Sequence, residues 1–456
     1  MPVALRQIQP IAVILFAGLR LSNYFINNSL LEYLSAGVLL FIIVQAMPKL
    51  DKSSRWVVSG LFLFGAILLL TSGANLRLWT VAFLKNANVA TMLICVPLMS
   101  LPFFYEDYQS ELKVVAQTKM QSMLGFCLLT SLCTHLLGVL ISVGAIAIIY
   151  ELLSPHAKLY KSEDTFLATI MRSYSSSGFW SPAWASMVLI NSQLQVSWLS
   201  LIPIGLAFSA IFMGLDLGFI AVKIKRNPER YPRLQAEEGA VVNWRKIYTM
   251  LLLAFALIGS IILGNIVTPW DLLIIISIVA IIFPLATGLL QKHMPAYKKG
   301  MANFYGKSLI KVQSQCALFT AAGFLGKALD AAGIGAVLPR FLPDWLTSYP
   351  VLMIGAIMLL LILPAMVGIH PVATGTALLS AVTPAALGLD LMSFTLTILT
   401  GWLLATFLSP LTSTSLILSG CCGRPSWSLL NLNKVFGPVA LILFSILIAV
   451  VGPLLG

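Results

Sequence analysis

Arg172 is followed in the next ten residues, SYSSSGFWSP (173–182), by five serines, a glycine and a proline, all inside a long apolar region. Serine hydroxyls donate and accept hydrogen bonds without the desolvation cost of a charge, whereas a guanidinium at membrane depth usually faces a cavity or a partner. A Ser-rich turn ending in Gly178 and Pro182 would leave free N–H groups at the start of the next helical piece. The helix dipole favours anions at that end. Ser175, Ser176, Ser177 and Ser181, with Arg172 beside them, therefore read as a tip that could hold a carboxylate or another oxyanion. The plainer reading of Arg172 is a side chain near a membrane end that snorkels to the headgroups.

Two later stretches repeat the device. PAMVGIHPVATGTALL offers Gly368, His370, Pro371, Thr374, Gly375 and Thr376, and His370 is the only one of four histidines beside a Gly/Pro break deep in an apolar run. It could bind substrate or carry a proton; a buried histidine satisfied by a neighbouring carbonyl is the alternative. FLSPLTSTSLILSG (407–420) supplies Ser409, Pro410, Thr412, Ser413, Thr414 and Ser415. A Pro-kinked helix whose hydroxyls bond back to their own backbone would use the same residues. In FLKNANVAT, Asn86 and Asn88 could give side-chain carbonyls to a sodium ion, since hard cations take oxygen ligands. Interhelical hydrogen bonding explains both asparagines as well. Lys85, Asp216, Gln313, Ser314 and Gln315 are further polar residues at membrane depth.

The elements that must position these groups are membrane helices. Of 456 residues, 59% are hydrophobic and 10% charged, well below the charged share of a soluble domain. Apolar stretches of about 20 residues, enough to cross a bilayer, recur along the chain and leave no room for a sizeable soluble domain. The expected fold is all-α: a polytopic, multi-pass membrane protein with about 10–13 spans, built as two inverted repeats with re-entrant hairpins and broken helices. Clear spans are expected near 30–48, 56–74, 79–101, 123–152, 198–222, 247–267, 270–291, 309–329, 349–366 and 435–455. The regions 165–195, 367–388 and 393–420 are apolar but interrupted. The N-terminus, with a basic start and Arg20 inside its apolar patch, reads as a first membrane segment rather than a removed signal peptide.

The net charge of +12 comes mainly from Lys and Arg in short loops between apolar runs, which is topology rather than nucleic-acid binding. The basic loop 223–246 should face the cytoplasm, and the basic loop 291–307, two spans later, returns to the same side. The first loop divides a single transport domain into an N-terminal half, 1–222, a linker, 223–246, and a C-terminal half, 247–456. SGFWSPAWASMVLI (177–190) aligns weakly with VGIHPVATGTALL (367–379), each with a Gly followed three or four residues on by a Pro. Paired interruptions in two halves point to a transporter that holds its substrate where helices break. The six cysteines show no metal or redox spacing and imply neither cofactor nor disulfide framework. Enzyme signatures such as GxSxG and HExxH are missing, and GMANFYGKS (300–308) has one residue too many for a phosphate-binding loop.

At SYSSSGFWSPAWASM and SPLTSTSLILSG the chain resembles the ion transporter superfamily, which holds divalent-anion/sodium symporters, dicarboxylate and citrate carriers, TRAP-type membrane subunits and arsenite permeases. The likeness covers the layout of about 300 residues, with SSSG (175–178) and TSTS (412–415) where the symporters carry a Ser-Asn-Thr signature. It implies a secondary active transporter of a small anion, most readily an organic acid, in a bacterial inner membrane. Coupling would be to sodium or protons, and since related carriers are often dimers, a homodimer is expected. The expected partners are thus a small anionic substrate and membrane lipid, with no nucleic acid. Two other functions fit less of the sequence: a cation/proton antiporter using His370 or Asp216, and a membrane-embedded enzyme acting on a lipid-linked substrate.

Overall fold

Ten helices among the described residues are long and apolar enough to cross a membrane, so the chain is an all-α, multi-pass membrane protein. The computed structural model describes residues 3–108, 110–235, 241–333 and 343–455; part of the expected cytoplasmic linker, 236–240, lies outside these. In chain order the helices are α1 (Val3–Ile26), α2 (Ser29–Ala46), α3 (Lys52–Thr71), α4 (Leu76–Leu84), α5 (Ala87–Cys95), α6 (Ser110–Lys119), α7 (Met123–Ile141) and α8 (Gly144–Leu159). They continue as α9 (Glu163–Ser177), α10 (Ala185–Leu194), α11 (Trp198–Arg226), α12 (Trp244–Val267), α13 (Leu272–Leu290), α14 (Met294–Asn303) and α15 (Leu309–Ala331). The rest are α16 (Asp344–Thr347), α17 (Pro350–Met366), α18 (Pro371–Ala381), α19 (Leu391–Leu408), α20 (Ser413–Cys422), α21 (Ser426–Asn431) and α22 (Phe436–Leu455).

Several starts follow directly from capping chemistry, in which a short side-chain oxygen accepts an otherwise orphaned N–H. Asn28 accepts from Leu30 N at 2.8 Å, Asp51 from Ser54 N at 3.0 Å, Asn75 from Leu78 N at 2.9 Å and Asp390 from Ser393 N at 2.7 Å.

Where helices break inside the apolar mass, the backbone must find other partners, because lipid offers none. Among the described residues, four such breaks concern the site: Ser142–Val143 between α7 and α8, 178–184 between α9 and α10, 367–370 between α17 and α18, and 409–412 between α19 and α20. Pro182, Pro371 and Pro410 sit at three of them, where a missing N–H and a fixed φ stop or start a helix. Side chains take up the freed carbonyls: Trp198 Nε1 donates to Trp180 O at 2.9 Å, Ser53 Oγ to Gly368 O at 2.8 Å, and Ser415 Oγ to Ser409 O at 2.6 Å. Gly368 has φ +94°, a conformation that L side chains rarely adopt, so glycine is required there.

The fourth break corrects the expectation of one continuous span over 123–152. Ser142 carries the turn at a positive φ of 53°, and Gly144, which opens α8, is the one sequence sign of it. With it in place, one order of elements occurs in both parts of the chain. A two-armed hairpin (α7–α8, then α17–α18) precedes a broken helix (α9–α10, then α19–α20) and a continuous helix (α11, then α22). In both sets the first hairpin arm packs on the first piece of the broken helix. In this order 367–370 takes the place that Ser142–Val143 has in the first set, and 409–412 that of 178–184, whereas the sequence alignment set 177–190 beside 367–379.

The remaining helices form a scaffold centred on α15, which packs against α3, α4, α5 and α18. Its close approach to α5 depends on Gly323, where a Cβ would stand 2.7 Å from Asn86 Cγ. The six cysteines are free, four of them buried, as small core residues should be.

Candidate functional site

The four breaks converge on one cavity of about 430 Å³. It is lined by Ser142, Val143 and Gly144 from the first hairpin tip, Ala183, Trp184 and Ala185 from the first broken helix, His370 and Pro371 from the second tip, and Thr412, Ser413 and Thr414 from the second broken helix. Each set is the start of a helix, so the N-terminal ends of α8, α10, α18 and α20 all face the same space. Each such end carries roughly half a positive charge and unbonded N–H donors.

At three of these ends no side chain caps the helix. Val143 and Trp184 have no short acceptor to offer, and the Thr412 hydroxyl is turned away to donate to Thr406 O at 2.6 Å. The first N–H groups of α10 and α20 are thereby left to a ligand, whereas at α8 the Ala145 and Ile146 N–H groups already donate to Ser142 O at 3.0 Å and Val143 O at 3.3 Å. At the fourth end His370 Nδ1 accepts from Val372 N–H at 3.2 Å. That bond puts the proton of a neutral His370 ring on Nε2, and the ring stands edge-on to Trp402, 6.4 Å between centroids.

The charge of the lining has one sign. Lys311 of α15 is its only Lys, Arg, Asp or Glu side chain among the described residues. Ser308, Lys311 and Gln315 present one face of α15, and a π-helical turn, Phe304–Ser308, leads into it. The wall opposite in chemistry is aromatic: Tyr174, Trp184 and Trp402.

Of the residues singled out from sequence, His370, Pro371, Thr412, Ser413, Thr414 and Gln315 are brought together here. The serines of the opening stretch are not among the lining residues. Helix α9 continues through Ser177 because its hydroxyls bond within the helix: Ser175 Oγ to Met171 O at 2.9 Å, Ser176 Oγ to Ser173 O at 2.8 Å and Ser177 Oγ to Tyr174 O at 2.6 Å. Ser181 Oγ donates to Val139 O across to α7 at 3.3 Å. These four serines are fully buried and act as struts.

Two tryptophans depend on them. Trp180 Nε1 donates to His135 Nε2 at 2.9 Å, which leaves the His135 proton on Nδ1, 2.8 Å from Ser176 Oγ. Trp184 Nε1 donates to Ser177 Oγ at 3.1 Å, so Ser177 holds a cavity wall in place without lining it. Ser177→Ala should lower stability by about 1 kcal/mol, the usual worth of a hydrogen bond. Ser177→Leu should cost about 1–3 kcal/mol from overpacking, because a Cβ on the facing Gly138 would already lie 2.6 Å from Ser177 Oγ. Thermal unfolding in detergent measures both, and a Leu variant as stable as the native protein would contradict this packing.

Arg172 also lies elsewhere, with 3% of its surface exposed. Nε donates to Asn433 Oδ1 at 2.8 Å, one terminal nitrogen to Asp216 Oδ1 at 2.5 Å and the other to Leu432 O at 2.8 Å. The guanidinium also stacks 4.1 Å from the centre of the Phe436 ring. It neither reaches the Ser-rich segment nor snorkels to a headgroup; it ties α9 to α11 and to the start of α22. Asp216, the carboxylate suggested for an antiporter, is occupied by the same contact.

The remaining candidates are placed away from the cavity lining. Gly368 makes the turn before α18, Thr374 Oγ1 donates to Pro371 O at 3.2 Å, and Ser409 Oγ donates to Ala365 O at 2.7 Å. Thr376 is buried beside Gly326, and its hydroxyl has no hydrogen-bond partner among the described residues. Asn86 Nδ2 donates to Phe319 O at 3.0 Å, and Asn88 Oδ1 accepts from Arg20 at 3.0 Å. Both asparagines bridge helices, as the alternative reading had it, and neither is placed with the other on a cation site. Among the described residues no group of three or more His, Cys, Asp and Glu side chains could hold a metal ion.

Sequence reasoning passed over Lys311, Ser308 and the Ser142 tip. For Lys311 a signal existed: 308, 311 and 315 in KSLIKVQSQ are spaced to share one helical face.

No family model and no curated protein matches the sequence. The fold matches the crystal structure of the YdaH transporter of Alcanivorax borkumensis, described as having an unusual topology. The TM-score is 0.50 at 15% sequence identity, and the match covers 87% of this chain and 97% of that one. The likeness is one of fold.

Proposed function

We infer that the protein is a secondary active transporter that carries a small anion through the cavity between its four helix breaks. One observation carries the reading: four helix N-termini, three of them uncapped, and Lys311 surround a space of about 430 Å³ that no carboxylate lines. Such a lining stabilises negative charge from every side and repels a cation, which speaks against a cation/proton antiporter. The shared fold with a transporter structure supports transport over an enzyme acting on a lipid-linked substrate.

The recurring order of hairpin, broken helix and continuous helix supports two repeats of opposite orientation, divided at the basic linker 223–246. Rocking of these paired elements around a central site would give alternating access. In this reading the substrate is an organic acid whose carboxylate takes the N–H groups of α10 and α20, with the dipole of α8 adding to the positive potential. His370 Nε2–H, Ser413 and Gln315 are the neutral donors beside it. Coupling to sodium or protons, a homodimeric state, residence in a bacterial inner membrane and kinship with the ion transporter superfamily complete the proposal. Uptake into proteoliposomes of a carboxylate, but not of its uncharged amide, tests it.

A further inference from the structure

A second cavity, of about 720 Å³, shares no lining residue with the first and opens between α9, α11 and the segment joining α21 to α22. Gly214, Gly218, Phe219 and Val222 give it an apolar side along α11, faced by Val435. A Cβ built on Gly214 or Gly218 would meet no atom within 4 Å, so the two glycines leave a groove unfilled. From Gly214 to Arg226 the groove runs about 18 Å at about 1.5 Å per residue, close to the depth of one leaflet.

Its cations gather at one end. Lys223 and Arg226 stand in the last turn of α11, and Lys434 precedes α22; all three are exposed and line the cavity. Phe436 packs on Phe219 and Phe444 on Phe208, so α22 begins near the level where α11 ends. Asp164 and Arg172 also line the cleft and are already engaged, Asp164 with Arg424 at 2.6 Å and Arg172 with Asp216 at 2.5 Å. Among the described residues Lys223, Arg226 and Lys434 have no ion-pair partner. This end leads into the basic loop 223–246, at the height where phospholipid headgroups lie.

We propose that this cleft binds an anionic phospholipid, its phosphate held by Lys223, Arg226 and Lys434 and an acyl chain lying along Gly214 and Gly218. Basic clefts between membrane helices suit such headgroups, because the charge attracts the phosphate while the groove accepts the chain. A second copy of this chain fits the groove poorly, since two-fold contact would bring the same three cations against each other. The proposal stands independently of what the protein transports.

Native mass spectrometry of the purified protein tests it, with phosphatidylglycerol or phosphatidylcholine of identical chains added to a neutral detergent. Phosphatidylglycerol should be retained in preference. Lys223→Gln, Arg226→Gln and Lys434→Gln should each reduce that retention about fivefold. All three side chains are exposed, so the fold should survive, as an unchanged elution profile would confirm. Gly218→Leu, which fills the groove and keeps every charge, should lower retention of both lipids. Equal retention of the two lipids by the native protein overturns the proposal. So does an unchanged preference in the triple Gln variant. A Gly218→Leu variant that turns a dimer into a monomer without releasing lipid overturns it too, and assigns the groove to a second copy.

Discussion

Lys311→Gln is expected to weaken binding of an anionic substrate by about 10- to 100-fold, the usual worth of a charge-assisted hydrogen bond. Lys311 is the single cation on the cavity lining, and nothing else there carries full positive charge. Its ammonium makes no hydrogen bond or ion pair among the described residues, so removing it leaves no partner stranded and should leave stability untouched. Arg in its place keeps the charge on a longer, planar head and should restore part of the affinity. Calorimetry on purified protein measures the change. A Gln variant that binds as the native protein does would remove Lys311 from the site and leave the helix ends as the sole anion-binding groups.

The second large effect is on folding. Arg172→Leu strands Asp216, 1% exposed and with Oδ2 already lacking a hydrogen-bond partner among the described residues, as a buried charge with nothing to neutralise it. Removing one member of a buried pair costs about 3–5 kcal/mol. The variant should therefore fail to give a monodisperse protein or should unfold at markedly lower temperature. Arg172→Leu/Asp216→Leu should recover most of the loss, because no charge is then left in the apolar interior, although Asn433 and Leu432 O lose a donor. Thermal unfolding of the single and double variants forms the cycle. The double variant should also bind substrate normally, since Arg172 lies outside the cavity that Lys311 lines. Folded, stable Arg172→Leu with lost substrate affinity would show that the guanidinium serves the substrate after all.

Much of the architecture was legible because lipid narrows the choices. Long apolar runs could only be helices, and the positions of Pro182, Pro371 and Pro410 marked three of the four breaks. The break at Ser142 was not legible, since one serine and one glycine, Gly144, in an apolar run are equally at home inside a membrane helix, and no proline marks the turn. With that hairpin tip unseen, the alignment of 177–190 with 367–379 set side by side segments that hold different places in the order of elements. Within the site, helix starts lie in the three interrupted regions, but many of the lining side chains are not those singled out. The serines at 175–177 read as a turn because hydroxyl-rich segments favour turns, yet the same hydroxyls can bond to carbonyls one turn back and stay helical. Arg172 showed the opposite ambiguity. A membrane-buried cation implies a partner, and the sequence does not reveal that the partner is Asp216, 44 residues on, rather than a substrate.

The central claim is that the cavity recognises negative charge, and a matched set of ligands tests it most directly. Native protein in proteoliposomes, with an inward sodium or proton gradient, is offered radiolabelled small carboxylates, the corresponding amides and the corresponding amines, alike in size and shape. The account predicts saturable uptake of at least one carboxylate, abolished or strongly reduced by Lys311→Gln, with the amide and amine left outside. Uptake of the amide or the amine at a rate equal to the carboxylate, insensitive to Lys311, would contradict it.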